Sequence, residues 1–184
     1  MTGNVVFLAF AVAGAPGLSI PRSLVSLVAF LVGAVAGGRL AARLGSGPRQ
    51  RWVATAFGVE AALLLAAALF AAAGTRAALL AVYGAIVLTA LAMGVRNATV
   101  RTIALPDLTT TVLTLTLTGL AADSGLAGGV NPRAGRRVAS VLSMFLGAAV
   151  GALLVRHSLL LPLLVSGVLS CACATAVAMK PRDA

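Results

Sequence analysis

The sequence predicts an all-α integral membrane protein, a polytopic helical bundle with five full transmembrane helices and two short re-entrant or broken segments. Its composition is the first observation. The 184 residues are 60% hydrophobic and only 10% charged, with a mean hydropathy of +1.07, whereas soluble domains carry about 25% charged residues. The second observation is that several apolar runs reach the roughly 20 residues that a helix needs to cross about 30 Å of hydrocarbon.

Links that contain glycine, proline or arginine separate seven apolar runs. Two of these, 5–13 and 108–122, are too short to cross as helices. The five full runs cover residues 22–44, 52–73, 77–95, 138–155 and 159–179.

The two halves of the chain resemble each other. We predict one transmembrane domain over 1–184 that contains two half-repeats, 1–73 and 77–182. Each half holds a short segment, then a link, then a helix that starts with arginine and carries a GxxxG motif, "GAVAG" or "GAAVG". Because GxxxG permits close approach of two helix backbones in lipid, the sequence predicts four helix-packing positions: Gly33, Gly37, Gly147 and Gly151.

Counting basic residues distinguishes two topologies. If every segment crosses, the 14 Lys and Arg side chains divide seven against seven. If 108–122 enters and returns on one side, eleven share that side and three lie opposite. Basic residues accumulate in cytoplasmic loops, so we predict the re-entrant topology and an inverted repeat. The basic links expected in the cytoplasm are 39–51, 96–107 and 124–137.

Three motifs carry a resemblance to a known family. "MTGNVVFLAFAVAG", "AMGVRNATVR" and "PDLTTTVLTLTLTGLAAD", in this order and spacing, resemble the YoaK family. The resemblance implies a multi-pass protein of the bacterial cytoplasmic (inner) membrane, built around a domain of unknown function. Family members usually carry Gln where this chain has Arg96, and they begin with an additional helix. We therefore expect that this chain lacks the first helix, through a mis-assigned or trimmed start.

Glu60 lies about 13 Å into its predicted helix. A charge at the centre of a bilayer costs about 2.5–3.5 kcal/mol, so buried carboxylates usually face the bundle interior. The functional interpretation is a proton or cation site, with Arg96 as the partner. The alternative is a protonated or snorkelling glutamate that only supports packing.

The threonine-rich segment offers a second set of candidates. Asp107 is a good N-cap for the segment that it opens. On a helix, three threonines continue a stripe from this aspartate, whereas the Thr-Leu alternation also fits a strand. A lone strand in lipid leaves backbone groups unsatisfied, so we predict a helix. The stripe, which lines a polar path or joins neighbouring helices, consists of Asp107, Thr111, Thr114 and Thr118.

The first short segment begins with matching polar residues, Thr2 and Asn4. Two short helices that face each other would aim their amide dipoles at a shared point, which is typical of anion or zwitterion sites. Arg96 and Asn97 are expected to end the central helix near that point. The alternative roles for all four are capping and interfacial contact.

These features favour a small-solute or ion transporter, with a site between the two broken threonine-rich segments. The alternative is a non-transporting membrane scaffold or envelope-stress protein. No enzyme is predicted, because no HExxH, Gly-x-Ser-x-Gly or phosphate loop is present. We expect no cofactor and no metal, and no nucleic acid partner since the arginines lie between apolar runs. The predicted partners are the lipid bilayer and a small molecule or ion.

Overall fold

The computed structural model describes residues 2–45, 47–72, 78–103, 113–131 and 133–180. This part of the chain forms seven α-helices and one short 3-10 turn, without any strand. Five helices are long and apolar enough to cross a membrane, and two are short. The predicted fold class of five long and two short helices is therefore confirmed. The helices are α1 (Thr2–Val12), α2 (Ile20–Leu44), α3 (Arg49–Ala72), α4 (Ala78–Ile103), α5 (Leu113–Ala122), α6 (Ala134–His157) and α7 (Leu160–Met179).

The closest packing joins α2 to α4 through small residues. A Cβ atom added to Gly33 would collide with the Leu91 carbonyl, and one added to Gly37 would lie 2.9 Å from the Val95 Cα. Both contacts have the same offset in residue number, so the two helices run parallel. The buried residues of α2 recur at every fourth position, as helix–helix packing through small residues requires. They are Ala29, Gly33, Gly37 and Ala41.

Helix α3 packs against α4 and α7 and runs antiparallel to both. Against α7, Gly167 faces Leu65 near the middle of the helices, and Val177 packs near Val53 at one end. Against α4, Phe70 covers Gly84, where an added Cβ would lie 2.6 Å from the Phe70 ring. Helices α2, α3, α4 and α7 therefore form the packed part of the bundle.

The ends of these helices meet in a small core around Trp52. Ala41, Trp52 and Val53 are buried there, and Ile103 from the end of α4 packs against them. The Arg49 guanidinium donates a hydrogen bond to the Ile103 carbonyl over 3.3 Å. The link between α2 and α3 therefore lies at the same end of the bundle as the end of α4.

Each short helix packs against the long helix that follows it, α1 against α2 and α5 against α6. The chain reverses between α1 and α2 at Gly14 and Gly17, which have φ angles of 83° and 79°. Glycine suits these two positions because positive φ is strained for other residues.

One predicted boundary is wrong. The sequence placed the end of the third long run at residue 95, but α4 continues to Ile103, so Arg96 and Asn97 lie inside a helix. Thr99 and Thr102 donate their hydroxyls to carbonyls of their own helix, over 2.9 Å in each case. Ile103 also packs in the core. Tertiary contact and internal hydrogen bonding thus extend the helix through a stretch that looks polar.

Candidate functional site

Glu60 lies at the middle of α3, about 17 Å from either end at 1.5 Å per residue. Only 2% of this residue is exposed. It is the only acidic residue in the described parts of the five long helices. An uncompensated carboxylate at this depth would be costly, so its neighbours determine what the site can do.

Two side chains from different helices reach the Glu60 carboxylate. The Arg96 Nε atom on α4 lies 3.3 Å from Glu60 Oε1, so the predicted pairing of these residues is present. Ser170 on α7, itself buried, donates a hydrogen bond from its hydroxyl. The Arg96 side chain is 46% exposed, whereas that of Glu60 is 3% exposed. The Glu60 carboxylate of the ion pair is therefore buried, whereas the Arg96 side chain is partly exposed.

A cavity of about 20 Å³ borders this pair. That volume is enough for about one water molecule. Thr99 lines the cavity but donates its hydroxyl to the Val95 carbonyl, and the surface that the lining residues expose to the cavity is apolar. The lining residues are Ala56, Phe57, Glu60, Arg96, Thr99, Val100 and Ile103.

A larger polar hollow lies between α1, α2 and α4, with a volume of about 310 Å³. Asn4 donates a side-chain hydrogen bond to the Ser26 hydroxyl over 2.8 Å, which fixes the start of α1 on the wall of the hollow. The lining residues are Asn4, Arg22, Ser23, Ser26, Ile86, Thr89, Ala90 and Met93.

Asn97 lies one turn beyond the Met93 wall of this hollow. Its amide donates to the Met93 carbonyl over 2.6 Å, which ties the side chain to its own helix. Because Asn97 follows Met93 by four residues, it continues the same face of α4. Thr2 begins α1.

The threonine stripe on α5 is only partly described. The α-helical prediction holds from Leu113, but Thr114 and Thr118 are exposed and line neither cavity, whereas Thr116 is buried. Asp107 and Thr111 lie outside the described residues. The structure brings Glu60 to Arg96, and it brings Asn4 to the face of α4 that carries Asn97. It brings neither Thr114 nor Thr118 to these groups.

The four predicted packing glycines fall into two kinds. Gly33 and Gly37 face the backbone of α4. An added Cβ at Gly147 or Gly151 would meet no described atom within 4 Å. No described helix packs there, so the packing role of these two glycines remains a prediction.

Several residues of these sites were missed from the sequence. Ser26 had a signal, because the repeat aligns it with Ser140. Arg22 had the same signal, because both halves begin their long helix with arginine, whereas Ser170 had none, since it is an isolated polar residue in an apolar run. A third polar group was also missed. The Arg137 Nη1 atom lies 2.7 Å from Asp123 Oδ2 and donates to the Gly119 carbonyl at the end of α5.

The described part of the chain is a bundle with five helices long and apolar enough to cross a membrane, and it holds an ion pair at the middle of α3. Residues 1–177 match the model of a family described as proteins of unknown function (DUF1275). The chain therefore belongs to this family, while the likeness to the YoaK family stays a resemblance of motifs. No curated protein and no solved structure matches the chain.

Proposed function

We propose that this protein carries a small solute or ion across the bacterial cytoplasmic membrane, with Glu60 as the group that binds the coupling proton or cation. The observation that carries the proposal is the sealed carboxylate at mid-depth, held by one arginine and one serine. Ionisable residues inside a membrane protein are costly and usually mark ion or substrate pathways.

In the proposed mechanism, the Glu60 carboxylate exchanges Arg96 for another positively charged partner. A proton or small cation that reaches the carboxylate competes with Arg96 for the same oxygen atom. The open side of Arg96 lets the guanidinium move away when this happens. Arg96 and the wall of the hollow belong to the same helix, so this exchange would couple the buried carboxylate to the hollow.

The directions of the helices support the proposed re-entrant topology. Helix α3 is antiparallel to both α4 and α7, so these two run in the same direction. Only two residues join α6 to the start of α7. A membrane-spanning α6 would then begin on the side where α4 ends, and α5 would lie in a link that enters and leaves on one side.

These directions also fit two inverted halves. In each half, a short helix packs against the long helix that follows it. Broken helices in inverted halves are a recurring transporter architecture. This fold-level argument supports the class of function and leaves the solute open.

A flux assay tests the proposal. Full-chain protein is reconstituted into liposomes that contain a pH-sensitive dye, and proton entry is driven by a potassium diffusion potential. We expect entry above that of protein-free liposomes, loss of this entry in Glu60→Gln, and near wild-type entry in the control Asp123→Asn. Wild-type entry in a folded Glu60→Gln protein would remove Glu60 from the mechanism.

The second candidate is a membrane scaffold, and one observation favours it. No residue of α6 is buried, and its contacts with α5 and α7 leave most of its surface exposed. A scaffold would give no flux in the same assay. Its function would tolerate Glu60→Gln and would be lost when a bulky residue replaces Gly147.

A further inference from the structure

The polar hollow between α1, α2 and α4 has one sign of charge. Arg22 contributes a guanidinium, and the other polar lining groups are the neutral side chains of Asn4, Ser23, Ser26 and Thr89. No carboxylate lines it among the residues that the structure describes. It has a volume of about 310 Å³, is wide open to its surroundings, and combines these polar groups with a larger apolar lining surface.

The two serines of the hollow differ from the threonines of α4. Thr89, Thr99 and Thr102 each donate their hydroxyl to a carbonyl of their own helix. Within the described ranges, neither Ser23 nor Ser26 donates its hydroxyl to a protein acceptor, and the Ser26 oxygen accepts from Asn4.

Arg22 is the third donor group of the hollow. It forms no hydrogen bond or ion pair with any other residue in the described part of the chain. The wall therefore offers a guanidinium and two hydroxyls whose protons are not used by the protein. A guanidinium binds carboxylate and phosphate oxygens well because its N–H groups match their geometry.

We infer that this hollow is an oxyanion site that binds a carboxylate or phosphate group through Arg22, Ser23 and Ser26. Asn4 positions Ser26, because its hydrogen bond directs the serine oxygen toward α1 and leaves the hydroxyl proton for the ligand. The inference rests on the proposed function only in making the bound molecule the transported solute.

Two sources can supply this group. Arg22 lies in the first turn of α2, where an anionic lipid headgroup and a free small carboxylate can both approach. Since both offer an oxyanion, the binding chemistry is shared. The experiment therefore measures the two sources separately.

The first arm uses radiolabelled acetate and full-chain protein in nanodiscs of zwitterionic phosphatidylcholine. We expect saturable acetate binding that is weakened at least about tenfold in Arg22→Gln and severalfold in Ser26→Ala, as expected when charge-assisted and neutral hydrogen bonds are lost. Arg39→Gln is the matched control, because it removes one exposed arginine from the other end of α2. We expect it to bind acetate like the wild type.

The second arm replaces part of the lipid by phosphatidylglycerol and counts retained anionic lipids by native mass spectrometry. Loss of one retained lipid in Arg22→Gln, with retention in Arg39→Gln, would assign the oxyanion to a headgroup. Either arm supports the site if Arg22→Gln differs from Arg39→Gln. Equal behaviour of the two folded variants in both arms overturns it. Binding needs no transport, so a failed flux assay leaves this result interpretable.

Discussion

Helices α2 and α6 carry aligned GxxxG motifs, but their surroundings are opposite. The glycines of α2 touch the backbone of α4, whereas an added Cβ at Gly147 or Gly151 meets no described atom. In lipid, where helix association depends on close van der Waals contact, a small-residue motif stabilises only when a complementary helix is present. Gly94 on α4 supplies the complement for α2, since its own Cβ position is blocked by the Phe30 carbonyl.

The two halves also hold their short helices differently. In the first half, α1 is tied to α2 by the hydrogen bond from Asn4 to Ser26. In the second half, Arg137 on α6 bonds both the Asp123 carboxylate and the Gly119 carbonyl at the end of α5. The uncharged hydrogen bond of Asn4 leaves a polar hollow beside it. The charged contact of the second half instead uses the Arg137 guanidinium to hold the end of α5.

We expect the largest difference in stability between the halves when alanine replaces an aligned glycine and so adds one methyl group. Gly33→Ala forces a Cβ against the Leu91 carbonyl, and such overpacking costs about 1–3 kcal/mol. Gly147→Ala places the same group in open space and should change the free energy of unfolding by less than about 0.5 kcal/mol. Unfolding of both variants in mixed detergent micelles measures this. Equal destabilisation would show that α6 is packed as α2 is.

Removal of the Arg137 contacts to α5 gives the next largest loss of stability. Arg137→Gln removes the bonds of the guanidinium to Asp123, to the Gly119 carbonyl and to Asn131. Because the Asp123 side chain is half exposed and its charge is screened, we expect a loss of about 1–2 kcal/mol. We expect faster amide exchange across α5 and unchanged exchange in α1. Ser23→Ala, at the aligned position of the first half, should leave exchange in both short helices unchanged. Hydrogen exchange with mass spectrometry makes the comparison, and unchanged α5 exchange in Arg137→Gln would refute it.

Removal of the hydrogen bond between Asn4 and Ser26 gives the smallest loss of stability. Asn4→Ala removes the hydrogen bond to Ser26, worth about 1 kcal/mol, and should speed amide exchange in α1 severalfold. Asn97→Ala is the control, because the Asn97 amide bonds only its own helix. We expect that variant to leave α1 unchanged. Protection of α1 that survives Asn4→Ala would mean that apolar contacts alone hold this helix.

Much of the fold could be predicted, because apolar run length reports directly on membrane-spanning helices. The five long helices and the pairing of Glu60 with Arg96 follow from hydropathy and from the cost of a lone buried charge. The end of α4 could not be predicted, since Thr99 and Thr102 satisfy their hydroxyls within the helix and make a polar stretch compatible with it.

The surroundings of Glu60 and Asn4 were harder to predict than these two residues themselves. Ser170 and Arg22 are single polar residues without periodicity, and only the packing of α7 on α3 and of α1 on α2 brings them into place. For the threonine stripe, the error lay in which residues of α5 were grouped on one face. Helical spacing grouped Thr114 with Thr118, yet the buried threonine of α5 is Thr116. Spacing along one helix does not decide which of its faces the rest of the protein covers.

The topology that unites these features can be measured directly by labelling single cysteines with a membrane-impermeant thiol reagent. Cys171 and Cys173 are exposed and are first replaced by alanine, after which Gly47→Cys, Ser124→Cys and Ser158→Cys are made one at a time in the full chain. The account predicts that the cysteines at 47 and 124 are labelled from one side of the membrane and the cysteine at 158 from the other. Labelling of positions 47 and 124 from opposite sides would contradict the re-entrant path of α5 and the inverted halves together.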